Sequence, residues 1–198
     1  MAEEPSRRDA LIAAAVEVFS RKGFAATSVQ EIADAAGIRK PSVYKHVSSK
    51  EDLLFAILDI AHEQSEALVR QVEALGLPPL ERLYEYLRRH VLSYLEDERL
   101  LNVFFREWRS VQDPERKRLI TERRRGYDRY LRGLVEECRR ETGADEPLDT
   151  RFASFYILGA VNATPDWFRH AAGDSAESVA RDTAQFAVNM IRRTRIPA

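Results

Sequence analysis

Cysteine is almost missing from this chain: Cys138 is the single one among 198 residues. An internal disulfide is thereby excluded. His46, His62, His90 and His170 lie too far apart in sequence for the usual zinc-binding spacings, so neither metal nor cofactor is expected. Long apolar runs are missing as well. Those at 10–16 and 155–161 fall far short of a bilayer span, and the acidic N-terminal residues argue against a signal peptide. A soluble cytoplasmic protein with no membrane partner is the expectation. Nor is there an excess of positive charge, since 31 basic and 32 acidic residues leave a net charge of -1. General stickiness to nucleic acid is excluded, and any affinity for phosphate must come from a local arrangement. Finally, the scattered histidines and lone cysteine supply no nucleophile with its base, no metal cluster and no phosphate loop, so an enzyme is not expected.

What is present is a foldable composition. With 44% hydrophobic and 32% charged residues the chain can bury a core of one or two domains. No segment has the period of a strand, and helical spacing recurs throughout. Leu11, Ala14, Ala15, Val18 and Phe19 mark a first helix over about 6–22, closed by Gly23. Thr27 or Ser28, with Gln30 or Glu31 three residues on, caps a short second helix buried through Val29, Ile32, Ala33 and Ala36. After Gly37 a third stretch, about 39–47, offers only Val43 and Val47 to a core. Two short helices joined by a glycine turn is helix-turn-helix spacing. Ser48 with Glu51 caps a long helix reaching Leu75, and further helices are expected at about 79–95, 97–110, 114–143, 148–164 and 175–194, the last boxed by Asp174 and Glu177. The fold class is all-α, about nine helices.

The third stretch carries the chemistry. Residues 36–50 hold four cations, Arg39, Lys40, Lys45 and Lys50, and no acid. A recognition helix presents polar and cationic side chains to base edges while a minimal apolar back holds it in place, and 39–47 has that division. Pro41 is tolerated in a first turn, where backbone N–H groups have no helical partner, and offers a flat surface for a thymine methyl. Ser42 suits a base or a phosphate, and Lys45 faces outward. Tyr44, His46 and Lys50 flank the helix with groups suited to phosphate oxygens. The bland alternative is an ordinary solvated face.

The run Thr27-Ser28-Val29-Gln30-Glu31-Ile32-Ala33-Asp34-Ala35-Ala36-Gly37-Ile38, followed after the basic stretch by Tyr44-Lys45-His46-Val47-Ser48-Ser49-Lys50-Glu51-Asp52-Leu53-Leu54, resembles the DNA-binding domain of the TetR family of bacterial transcription regulators. The resemblance covers about residues 8–56. It implies a three-helix DNA-binding domain (1–50) and a helical ligand-binding and dimerisation domain (51–198). By position it implies base contacts from Gln30, Lys40 and Pro41, and phosphate contacts from Thr27, Ser42, Tyr44, His46 and Lys50, with Ser28 and Lys45 in the same interface. Arg39 stands where the family commonly has a small cap, so it is counted as a DNA contact. Val47 replaces a frequent phenylalanine.

A dimer is expected, because two modules set about 34 Å apart or a little more read a palindrome that one module cannot. The last two helices offer Gly159, Ala160 and Ala163 for close approach, and Val179, Thr183, Phe186 and Met190 as an apolar stripe. Intramolecular core is the competing use. Ligand candidates are the aromatics Phe104, Phe105, Trp108, Tyr127, Phe155, Tyr156 and Trp167, with Arg106, Arg109 and Asn162. Most aromatics at helical spacing are core, and the basic series 116–125 suits a solvated face. The segment 159–169, with its Gly, Asn and Trp, is similar to the C-terminal domains of TetR-type regulators of fatty-acid, sterol or aromatic-acid breakdown, several of which respond to acyl-CoA thioesters. The expected function is a repressor released from a palindromic DNA operator by a small hydrophobic ligand, an acyl-CoA among the candidates. The alternatives are a regulator of efflux or stress genes sensing a neutral or cationic aromatic compound, and a ligand-independent DNA-binding protein.

Overall fold

The computed structural model describes residues 6–143, 149–168 and 175–192. Among them, regular structure is helical throughout: α1 (Arg7–Lys22), α2 (Val29–Ala35), α3 (Lys40–Val43), α4 (Lys50–Glu73), α5 (Pro79–Glu96), α6 (Glu98–Glu107), a 3-10 turn (Trp108–Ser110), α7 (Pro114–Thr142), α8 (Thr150–Asn162), α9 (Thr164–Phe168) and α10 (Ala176–Arg192). No helix among the described residues is long and apolar enough to cross a membrane, and no group of three metal-ligating side chains occurs among them.

Packing divides the chain into two units: Met1–Gln64 with Arg99–Glu122, and Ser65–Glu98 with Arg123–Ala198. The boundary expected from the sequence motif, residue 50, falls where α4 begins. In the first unit α1 packs on α2 and α2 on α3, over a core that includes Leu11, Phe19, Ile32, Val43, Leu53 and Ile57. Residues 99–122 belong to the same body through polar ties: Arg99 pairs with Glu17 of α1, Glu51 accepts from the Asp113 N–H, and Arg116 pairs with Asp52 at 2.7 Å. In the second unit α10 lies along α5, with α8 and α9 against them, around Leu83, Tyr86, Leu87, Leu131, Ile157 and Ile191.

Local chemistry explains most helix ends. Ser6 and Asp9 form the capping box of α1, and Ser28 and Glu31 that of α2. Lys22 first, then the Ser28 N–H and hydroxyl, hold the Glu31 carboxyl at a pKa of about 2, so this cap stays charged in all but strong acid. After α2 the Gly37 N–H donates to Asp34 and the Ile38 N–H to Ala33, a pair of bonds that requires the left-handed backbone Gly37 supplies at φ 65°. Asp113 caps α7 with Pro114 following in the first turn.

Four expected boundaries shift. The third helix is α only over Lys40–Val43, and residues 44–47 continue as hydrogen-bonded turns, because Val43 and Val47 alone anchor it. The cap of α4 is Ser49 with Asp52, one residue later than Ser48 with Glu51, since Asp52 also accepts the N–H groups of Ser48 and Ser49. The eighth helix stops at Asn162, and Pro165 sits in the first turn of the separate α9. Ser175 and Ser178 exchange backbone-to-hydroxyl bonds at the start of α10; Asp174 lies outside the described residues, and Glu177 pairs with Arg88 instead.

Candidate functional site

In the first unit, α3 is held by one buried side chain, Val43, while Arg39, Lys40, Pro41, Tyr44 and Lys45 are exposed and Ser42 and His46 half-buried. Arg39 precedes the helix without a side-chain capping bond, so its guanidinium is not spent there. Pro41 occupies the first turn. Gln30 is exposed on α2, its amide donating to Asp34 at 2.7 Å, a surface bond that a base edge can replace. Eight of the expected DNA residues therefore belong to α2, α3 and the residues directly flanking α3, and the basic stretch 36–50 that supplies seven of them contains no acid. The arrangement can place cations and hydrogen-bonding groups against a polyanion.

Three expected contacts are committed within the protein. Thr27 is buried, its hydroxyl donating to the Gly23 carbonyl at 2.7 Å. The Lys50 ammonium donates to the carbonyls of Phe24 and Thr27, both at 2.7 Å, and lies 4.3 Å from the Phe24 ring centre. These carbonyls sit in the loop between α1 and α2, beyond any helical partner, and the lysine satisfies them. Ser28 is committed to its cap, both accepting from and donating to Glu31.

The ten ligand candidates do not form one cluster in either body. Phe104, Phe105, Arg106, Trp108 and Arg109 lie in the first unit, where Phe104 stacks edge-on with Phe105 and Arg109 covers Trp108. The remaining five are in the second unit and divide again. Phe155, Tyr156 and Trp167 are exposed by 50%, 63% and 45%, together with Phe152 and Phe186. Tyr156 and Trp167 line an open groove of about 680 Å³ that Ala160, Ala163, Val179, Thr183, Phe186 and Met190 also line. Gly159 is exposed nearby on α8, with nothing within 4 Å of a Cβ placed there. Two expected ligand residues, Tyr156 and Trp167, therefore share the face expected for dimerisation. Within the basic series, Arg116 pairs with Asp52 and Arg118 with Glu115 and Glu122, as a solvated face would.

Tyr127 and Asn162 are the two candidates inside the second unit, and they meet residues that sequence reasoning missed. Tyr86 is fully buried and His90 8% exposed, both on α5, and the Tyr127 hydroxyl lies 2.5 Å from His90 Nδ1. Burial lowers the His90 pKa to about 4 in spite of the Asn162 side chain beside it, so the imidazole is neutral near pH 7. The signal was available: Tyr86 and His90 fall on the apolar stripe of Leu83, Leu87 and Val91.

Comparison with known proteins gives concordant results. The family "Bacterial regulatory proteins, tetR family" matches residues 11–57, and "Tetracyclin repressor-like, C-terminal domain" matches residues 76–191. The chain is 33% identical over 93 residues to the HTH-type transcriptional regulator YerO of Bacillus subtilis, a match covering 46% of this chain and 31% of that protein. Such a match thus spans about a third of that relative's length. A longer one, 23% identical over 175 residues, joins 88% of this chain to 86% of the HTH-type transcriptional repressor KstR2 of Rhodococcus jostii. Among solved structures, AibR in complex with isovaleryl coenzyme A and operator DNA superposes with a TM-score of 0.82 at 25% identity, over 91% of this chain and 97% of that one.

Proposed function

Since this chain belongs to the TetR family of transcriptional regulators, which are not enzymes, we propose that it is a homodimeric repressor that leaves a palindromic DNA operator when a hydrophobic acyl-CoA thioester binds its second unit. The observation that carries the DNA-binding half is α3: a helix held by Val43 alone, with Arg39, Lys40, Pro41, Tyr44 and Lys45 exposed. Lys40 and Pro41, with Gln30 from α2, are the base readers, and Tyr44, Lys45, His46 and Ser42 hold phosphates. Arg39, uncommitted as a cap, adds a cation to the same surface. Lys50 and Thr27 act indirectly, by fixing the loop that leads into α2.

The exposed apolar side chains of α8, α9 and α10 support the dimer. Phe186 is 75% exposed, and a patch of five large apolar residues on one unit is what a partner covers. The ligand class draws on the isovaleryl coenzyme A bound by AibR. A ligand that favours a different spacing of the two heads weakens operator binding in proportion to that preference, several-fold to about a hundredfold for a coupling of about 1–3 kcal/mol. Thermal-shift measurement with acyl-CoAs of several chain lengths tests this reading: at least one raises the melting temperature. Stabilisation by a neutral aromatic drug and by no acyl-CoA would refute it.

A further inference from the structure

One member of the basic series on α7 reaches out of its own helix. Arg116 stands in the first turn of α7, where its N–H donates to the Asp113 cap at 2.9 Å. Its guanidinium crosses to the start of α4, meeting Asp52 at 2.7 Å and lying 4.9 Å from the centre of the Phe55 ring. The side chains of this pair are 33% and 22% exposed, whereas Arg118 pairs within α7 with Glu115 and Glu122, all three more than half exposed. A backbone bond joins the same two segments, the Asp113 N–H donating to Glu51 at 3.0 Å. Both segments belong to the first unit.

The Asp52 carboxylate divides its two oxygens between two tasks. Oδ1 takes the Arg116 guanidinium, and Oδ2 accepts the N–H groups of Ser48 and Ser49 at 2.8 and 2.9 Å. Those two N–H groups follow directly on the turns of residues 44–47, which carry Tyr44, Lys45 and His46. Val43 and Val47 are the buried side chains of that stretch, so the bonds at Ser48 and Ser49 add a third hold on it. A guanidinium on one carboxylate oxygen fixes the plane in which the other accepts. Groups already fixed in their bound arrangement spare the cost of ordering them when a partner arrives.

We propose that Arg116 is a positioning residue for DNA reading: from α7, and through Asp52, it sets the backbone that presents Tyr44, Lys45 and His46, without touching DNA itself. The proposal rests on the DNA-binding reading above and deepens it. Fluorescence anisotropy tests it with a duplex that the wild-type protein selects from a random pool and with an unselected duplex. Arg116→Met keeps an unbranched apolar stem beside Phe55 and removes the guanidinium. At a temperature where circular dichroism shows both proteins folded, the variant binds both duplexes about tenfold more weakly. The slope of log affinity against log salt stays that of the wild type, because no phosphate contact is lost. Arg116→Lys, which returns a cation to Asp52, recovers most of the affinity, and in an Asp52→Ala background Arg116→Met costs nothing more. Arg118→Ala, on the same helix, leaves affinity unchanged. Should Arg116→Met not fold, Arg116→Gln is measured in the same way, with a smaller loss and the same unchanged slope. Unaltered affinity in the folded variant, a salt slope shallower by about one, or a loss that adds to that of Asp52→Ala overturns the assignment and leaves the DNA-binding reading standing. Failure of the wild-type protein to bind any duplex overturns both.

Discussion

Lys40 and Lys50 belong to the same basic stretch and have different surroundings. Lys40 opens α3 on an exposed face, whereas Lys50 closes two loop carbonyls and lies against Phe24. Lys50→Ala should therefore lower stability by about 1–3 kcal/mol in chemical denaturation, with DNA affinity falling equally on operator and random sequence. Lys40→Ala should leave the unfolding curve in place and reduce discrimination at one operator position. Equal loss of stability in both variants would contradict this division. His90 carries a second residue-scale consequence. Its folded pKa of about 4 lies below its ordinary 6.5, so the unfolded chain binds the extra proton between these values and stability falls as pH drops from 6.5 to 4. The full effect is about 3 kcal/mol. Urea midpoints of the wild type and His90→Phe, compared across that range, should show the acid sensitivity reduced in the variant; parallel curves would contradict it. None of the burial behind these values is visible in one residue's identity: the sequence marks Lys50 as a cation and His90 as a stripe position, and only packing shows what each faces.

At the scale of elements, the caps decide where helices start. Asp52 gathers the N–H groups of Ser48 and Ser49 and the Arg116 guanidinium. Burial pushes its pKa up, but Arg116 and the two N–H groups outweigh it, and the net shift is downward. Its contribution is thus present at neutral pH and lost as acid protonates it. Asp52→Ala should cost about 1–2 kcal/mol and raise hydrogen exchange in the first turns of α4, with the amides of α10 unaffected. Helices α2, α4 and α7 were legible in the sequence because a cap, an apolar period and a stop coincide in each, and α1 from its apolar period and the glycine that ends it. The start of α4 was off by one residue because Ser48-x-x-Glu51 and Ser49-x-x-Asp52 satisfy the same pattern, and the choice is made by Arg116, which is remote in sequence. The length of α3 was overread for the opposite reason: a helical pattern with two valines is too weakly anchored to continue as α-helix past Val43.

For the whole molecule, the family and the all-α class were legible from the joint motif of residues 27–54, whereas the assignment of the aromatics was not. Helical spacing cannot tell an aromatic that lines a core from one that lies on an outer face. The structure separates them by exposure: Phe155, Tyr156 and Trp167 outward with Phe186, Tyr127 inward with Tyr86 and His90. A charge placed on the outer face should act on assembly alone. Phe186→Glu is expected to sediment as a folded monomer and to bind operator at least tenfold more weakly than wild type, since half of the paired contacts are lost. The central claim, that two copies of this chain read DNA together through α3, is tested most directly by selecting binding sites from a pool of random duplexes. The account predicts enrichment of two inverted copies of one half-site, with centres about 34 Å apart or somewhat more. Enrichment of a single unpaired half-site, or of no sequence at all, would contradict it.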